Sequence, residues 1–289
     1  MVQLVDSDIK TREVLEWRGV HVLHALGSSC SQKLRIFLNL KGIAWQSHVM
    51  NLEANENYQP WFLGINPRGL VPVLVRDGAV HIESNDIIMV LEREFPAPRL
   101  IPAGYEDEVG RLLKHEDDLH LDLRTLSFRF LYTRPGPPKP ASALESYASH
   151  GSGTVGGAAD PQRAVQIDFW QRAAREGFPD ESVRASAVKF RAEFDALDRH
   201  LAGHSCLFGE AFSVVDIAWF IYVHRLSLAG YPVARLHPNL HGWYAKLAER
   251  QEFAREIAMA PEAKARIEQA QRERVAKLET LEDIAGFRA

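Results

Sequence analysis

Gly27-Ser28-Ser29-Cys30-Ser31 stands between a short apolar run ending at Leu26 and a stretch in which Leu34, Ile36, Phe37, Leu38 and Leu40 recur at helical spacing. That order puts the polar run at the N-terminus of a helix, where unpaired backbone N–H groups and the helix dipole favour an anion or a thiolate. Ser28 can donate a hydrogen bond to a bound thiolate, and Cys30 can itself have a lowered pKa in this field. Ser31 can equally be an N-cap and nothing more, because a serine-rich turn ahead of a helix is commonly an ordinary cap.

Two further groups carry recognition chemistry. In Asn66-Pro67-Arg68-Gly69-Leu70-Val71-Pro72 a proline opens an otherwise apolar strand, which favours a special turn or a cis bond. With a cis bond the Val71 backbone stays free to pair with an extended peptide, as in strand addition; the alternative is an edge-strand proline with no ligand. Glu83-Ser84 precedes a helix, where a carboxylate, a hydroxyl and helix-end N–H groups can hold both charges of an amino-acid-like ligand, or can simply cap the helix. Taken in chain order, the three groups describe a cradle for a small acidic peptide whose thiol lies over the first helix.

The histidines suggest no metal site. His115 and His120 are five residues apart and fall on different helical faces, and His200 and His204 flank Gly203 near a helix end. Cys30 and Cys206 form neither a CxxC pair nor a disulfide framework, which fits a reducing compartment.

The elements that must position these residues follow from the apolar periodicity. Val20–Leu26 reads as a strand, the stretch after the Gly-Ser-Ser turn with Leu34 to Leu40 at helical spacing up to Lys41-Gly42 as a helix, Trp45–Leu52 as extended, 57–65 as a short irregular helix, and Val71–Val75 and Ala79–Ile82 as strands joined by Asp77-Gly78. A helix with Ile87, Ile88, Val90 and Leu91 on its core face follows. This βαβ-ββα order is a thioredoxin-like α/β domain over 19–98, after a polar extension over 1–18 that lacks the apolar core of a signal peptide. Prolines and a weak apolar pattern mark a linker at 99–104. Beyond it, 105–289 reads as an all-helical bundle: 106 to about Thr133, 163–175, 181–201, 213–229, 240–250 and a charged helix from Pro261. Residues 134–161, with five prolines and five glycines, read as an insertion without packed elements, either a mobile surface loop or a lid.

The 289 residues suffice for about two domains. A formal net charge of -4 supplies no basic field for nucleic acid, and the longest apolar runs are too short to cross a bilayer. A cytoplasmic protein with no nucleic-acid or membrane partner is expected.

Together these motifs resemble the cytosolic glutathione transferases from about Gly19 to Arg255. Ser28-Ser29-Cys30-Ser31 with Leu34-Arg35-Ile36 and Leu40-Lys41-Gly42-Ile43 is similar to the signature of the zeta class, the maleylacetoacetate isomerase type. The resemblance implies that Ser28 stabilises a glutathione thiolate, that Val71 before a cis Pro72 pairs with the cysteinyl backbone, and that Glu83 and Ser84 hold the γ-glutamyl end. It places Asn57 at a contact to the glycine carboxylate. Ser213-Val214-Val215-Asp216 matches the family's buried capping box, and the 169–179 stretch is similar to the bacterial β-etherases. The position of Ser28, seven residues before Arg35, is where thiol-reducing omega-type members carry cysteine, so conjugation or addition–elimination is favoured, with Cys30 leaving a mixed-disulfide step open. Arg124, Phe128 and Tyr132 are expected to line an acceptor pocket. Glutathione as cosubstrate, a small electrophile such as a β-aryl ether, a homodimer, and a role in detoxification or aromatic catabolism follow from the same resemblance. Zeta-like isomerisation, reductive dehalogenation, and a noncatalytic protein-binding module are the competing functions.

Overall fold

A computed structural model describes residues 2–132 and 138–288. The chain divides into two compact units, one built from 1–98 and 136–176, the other from 99–135 and 177–289. Strands are numbered β1 (Val2–Gln3), β2 (Val20–His24), β3 (Gln46–Val49), β4 (Val73–Arg76), β5 (Ala79–Ile82), β6 (Thr154–Val155) and β7 (Ala158–Ala159). Helices are α1 (Ser29–Lys41), α2 (Pro60–Leu63), α3 (Ser84–Glu94), α4 (Glu106–Asp118), α5 (His120–Phe130), α6 (Ala141–His150) and α7 (Gln162–Glu176). They continue as α8 (Asp180–Leu201), α9 (Val214–Leu228), α10 (Val233–Leu236), α11 (Pro238–Ala248), α12 (Gln251–Ile257), α13 (Pro261–Lys277) and α14 (Leu281–Ala285).

In the first unit a sheet of order β1-β5-β4-β2-β3 has β2 and β3 parallel and its other pairs antiparallel. Because side chains alternate across a strand, Val22 and Leu74 face one way while Leu23, Val73 and Ile82 join a core on the other. Helices α1 and α3 pack together, burying Leu34, Phe37, Leu38, Ile87, Ile88 and Leu91. The opposite core closes differently from the sequence expectation. Residues 2–18 are more than the polar extension expected: β1 extends the sheet beside β5, and Leu4, Ile9 and Val14 are buried with Phe62 and Ile65. Their spacing follows short 3-10 turns, so no helix or strand period betrays them.

The expected insertion is corrected as well. Positions 133–137 lie outside the described residues, but the rest of 134–161 carries α6 and the β6–β7 ribbon, and with α7 it belongs to the first unit. Ala143, Leu144 and Tyr147 make a one-sided stripe on α6, and Pro140 stands at its N-cap, where a proline does no harm. The Tyr147 ring stacks on Tyr58 at 4.4 Å and 4°. Gly69 lies beneath this pair at φ +62, and a Cβ there would sit 3.0 Å from both rings.

The second unit is helical. The long helix expected after the linker is broken at Leu119 (φ -89, ψ 2) into α4 and α5, with neither proline nor glycine at the break. Helix α9, apolar on every face, is buried from Val214 to Leu226 and packs on α4, α5 and α11. Helix α14, unforeseen in the sequence, buries Leu281 and Ile284 and packs against α8. Among the described residues no helix is long and apolar enough to cross a membrane.

Candidate active site

The register of the first sheet gathers the predicted residues. Leu23 on β2 pairs with Val73 on β4, and Val73 with Ile82 on β5. The loop leaving β2 toward Ser28, the entry to β4 at Val71-Pro72, and the exit from β5 at Glu83-Ser84 therefore share one end of the sheet, on three adjacent strands. Neighbouring strands lie about 4.8 Å apart, so the three groups are spaced for an extended tripeptide laid across them.

At the first position Ser28, and not Ser31, is the N-cap of α1. Its Oγ accepts a 3.3 Å hydrogen bond from the Ser31 N–H, leaving the hydroxyl proton to donate elsewhere. Ser31 is fully buried, and its Oγ accepts from Ala25 N–H. The first turn of α1 has no acidic side chain, so the positive end of the helix dipole is not offset there. Cys30 is half-buried in that turn. Arg35, buried on α1, donates to the carbonyls of Ala25 and Leu26 at 3.1 Å each and approaches His24 Nδ1 at 3.1 Å. It pins the loop ahead of Ser28. Arg35 stands in the sequence within the Leu34-Arg35-Ile36 motif; its burial, which is what gives it this role, leaves no trace there.

At the middle position the Val71–Pro72 bond is cis, as the strand-opening proline suggested. Among the described residues no backbone hydrogen bond takes up the N–H or C=O of Val71. Asn57 is buried and its Nδ2 donates 2.7 Å to Gly69 O, so it holds the turn before Val71.

At the third position Glu83 has φ +68, a region costly for a side chain larger than glycine. Such strain is retained where the surroundings enforce it, and here it turns the Glu83 carboxylate toward Arg68, whose Nη1 donates 2.6 Å to Glu83 Oε1. Arg68 Nε donates 2.6 Å to Asp160 Oδ2, and the Arg68 carbonyl accepts 2.5 Å from the Tyr147 hydroxyl. Burial works against the guanidinium's charge, but the two carboxylates outweigh it and hold its pKa above the ordinary value. The sequence reading singled out neither Arg68 nor Asp160 in this cluster: the first is visible as a lone cation in an otherwise uncharged turn, the second lies in a segment read as unpacked. Ser84 is buried at the first turn of α3.

In the second unit Arg124, Phe128 and Tyr132 recur every four residues along and just past α5, and all three are half-buried. The Phe128 ring lies 5.0 Å from Tyr132 and 6.1 Å from Phe178, and Arg225 hydrogen-bonds the Tyr132 hydroxyl. His115 pairs with Glu193 at 2.8 Å and His120 contacts Tyr222 at 3.2 Å.

Comparison with known proteins matches residues 27–94 to the family model "Glutathione S-transferase, N-terminal domain" and 180–246 to "Glutathione S-transferase, C-terminal domain". A zeta-class glutathione S-transferase of Euphorbia esula is 45% identical over 76 residues, 26% of this chain and 34% of that protein. The matched stretch thus spans about a third of the length of such curated relatives. A tetrachloro-p-hydroquinone reductive dehalogenase of Sphingobium chlorophenolicum is 23% identical over 78% of this chain and 90% of its own. Among solved structures, a beta-etherase of Sphingobium sp. strain SYK-6 superposes with a TM-score of 0.65 at 24% identity, covering 82% of this chain and 98% of that one. That likeness establishes the fold.

Proposed function

Because the chain belongs to the glutathione S-transferase family, with both of its domains matched in order, we propose that the first unit binds glutathione across the sheet end and activates its thiol against a small apolar or aromatic electrophile. The observation that carries this reading is the placement of Ser28, Val71 and Glu83-Ser84 just beyond one end of three adjacent strands. Glutathione has the corresponding three parts: a thiol, a cysteinyl backbone, and a zwitterionic γ-glutamyl end.

The chemistry follows from the thiol's proton. A free thiol with pKa near 8.5 is mostly protonated at neutral pH, and only the thiolate is a strong nucleophile. A hydrogen bond from Ser28 and the end of α1 favour the charged form, raising the thiolate fraction. Val71 fixes the peptide by backbone pairing, and Glu83 with Ser84 fixes the far end, so the sulfur is held for attack at short range. Arg124, Phe128 and Tyr132 supply an aromatic surface with one cation for the acceptor, a β-aryl ether being the class suggested by the beta-etherase likeness. A cytoplasmic homodimer is part of this reading.

A second reading has a specific support. Cys30 stands two residues after Ser28, and the reductive dehalogenase relative extends over most of the chain. Under it, Cys30 participates directly, in isomerisation or in dehalogenation through a mixed disulfide.

The test is calorimetric binding of glutathione combined with turnover of aryl ethers, haloarenes and maleyl compounds. The transferase reading expects micromolar to millimolar binding, a thioether product, and loss of turnover in Ser28→Ala with retention in Cys30→Ala. The reverse pattern of the two variants selects the second reading; no binding and no turnover would leave a noncatalytic module.

A further inference from the structure

The segment carrying α6, β6, β7 and α7 comes back to the first unit at one charged point. Asp160, just after β7, has a side chain only 5% exposed, and it accepts from Arg68 Nε through Oδ2 and from the Gln162 N–H, at 3.0 Å, through Oδ1. Arg68 in turn reaches Glu83, whose side chain is 30% exposed. The result is a row of carboxylate, guanidinium and carboxylate across the mouth of the third subsite. Arg68 donates twice, through Nε and Nη1; among the described residues its Nη2 donates no hydrogen bond, on a side chain 14% exposed.

An α-amino-acid terminus is a zwitterion, and a rigid guanidinium with one unused N–H face beside a partly exposed carboxylate is its complement. We infer that Asp160 is a positioning residue for substrate: from the docked segment it orients Arg68, so that Nη2 receives the α-carboxylate of the γ-glutamyl end while Glu83 faces the α-ammonium. This makes 138–176 a working part of the glutathione site. The segment is held there independently by the Tyr147 hydroxyl on the Arg68 carbonyl and by the Ser146 hydroxyl on the Tyr58 carbonyl at 2.7 Å. The inference rests on the assignment of Glu83 and Ser84 to the γ-glutamyl end.

The experiment compares glutathione with 4-aminobutyryl-cysteinylglycine, which lacks only the α-carboxylate, by calorimetry on the full chain. Asp160→Asn keeps the shape and the acceptor for Gln162 but removes the charge that aligns Arg68. The expected result is an affinity for glutathione lower by about tenfold, a KM raised by the same factor with kcat at saturation within about twofold, and no change for the decarboxylated analogue. Arg68→Gln gives the same pattern more strongly, and serves if Asp160→Asn loosens the segment. Wild-type affinity in Asp160→Asn, or an equal loss for both ligands, overturns the role of Asp160. Glu83→Gln and Ser84→Ala are the controls: if they weaken glutathione while Asp160→Asn does not, only this inference fails. If they too leave binding unchanged, the assignment of the subsite fails and takes the inference with it.

Discussion

At the scale of single residues the proposed site rests on the direction of a few hydrogen bonds. Ser28 accepts from Ser31 and keeps its proton, so one side chain caps α1 and, under the proposed function, has a proton left to donate to the glutathione sulfur. Ser28→Ala should therefore separate into two effects: a stability loss of about 1 kcal/mol from the missing cap and a fall in kcat/KM of roughly 10- to 100-fold from the missing donor to the developing charge. Denaturant midpoints and steady-state kinetics measure the two independently; a kinetic loss no greater than a few-fold would remove Ser28 from the chemistry. Arg35 acts one step back. Without it the carbonyls of Ala25 and Leu26 lose their buried donor and the loop ahead of Ser28 is no longer pinned. In Arg35→Met the pKa of bound glutathione, followed by thiolate absorbance, should move up toward that of the free thiol, whereas a packing role alone would shift only the melting temperature.

At the scale of elements, α9 shows what a local signal can carry. Ser213 Oγ accepts from Val215 N–H and Asp216 Oδ2 accepts from Ser213 N–H, the reciprocal arrangement that the Ser-x-x-Asp spacing predicts. The structure adds what the spacing does not show: Asp216 Oδ1 also accepts from Leu207 N–H and from Trp243 Nε1. Burial pushes the Asp216 carboxyl up against these hydrogen bonds, so the group is costly in place and costlier to delete. Ser213→Ala should cost about 1 kcal/mol, while Asp216→Ala, which strands the buried N–H groups of Ser213, Leu207 and Trp243 and the Ser213 hydroxyl, should cost about 3 kcal/mol or more; equal losses in urea titrations would show that the additional bonds carry nothing. Elements of this kind, with a cap and a repeating apolar face, were legible: β2, α1, the Asp77-Gly78 hairpin, α3, α8 and α9 fall where the pattern puts them. The illegible ones lack a period. Leu4, Ile9 and Val14 are spaced by 3-10 turns, the break at Leu119 has no residue type to announce it, and α6 has a stripe of three residues amid prolines. The proposed site shows the same division, since Ser28, Val71 and Glu83 stand in motifs while Asp160 depends on a docking partner 92 residues away.

At the scale of the molecule the chain completes its first unit, enters the second at Arg99, returns to the first for 136–176 and leaves again at Gly177. The returning segment is fastened through Lys139 to Leu52 and Asn55, Ser146 to Tyr58, Gly156 to Asp8 and Asp160 to Arg68, and Tyr147 both stacks on Tyr58 and bonds the Arg68 carbonyl, so Tyr147→Ala should loosen it: cleavage by a low dose of protease within 138–160 should become several-fold faster while the rest of the chain stays intact. A second global property comes from histidines held neutral. Burial lowers the pKa of His48, His81, His237 and, most strongly, His224, which is brought down to about 4 beside the Tyr244 hydroxyl at 2.9 Å. An unfolded histidine titrates near 6.5, so between that value and the folded pKa the unfolded chain binds the extra proton. His224 thus contributes its full share above pH 6.5, and that share is lost progressively as the pH falls toward 4. At pH 5 its loss should approach about 2 kcal/mol. Urea midpoints measured at pH 7.5 and pH 5 should fall together with acidification in the native chain, and the fall should be smaller in His224→Gln, which cannot take up the proton on unfolding. An unchanged pH dependence in that variant would place the acid sensitivity on the other buried histidines or on the carboxylates, and would mean that α9 tolerates a charge at His224.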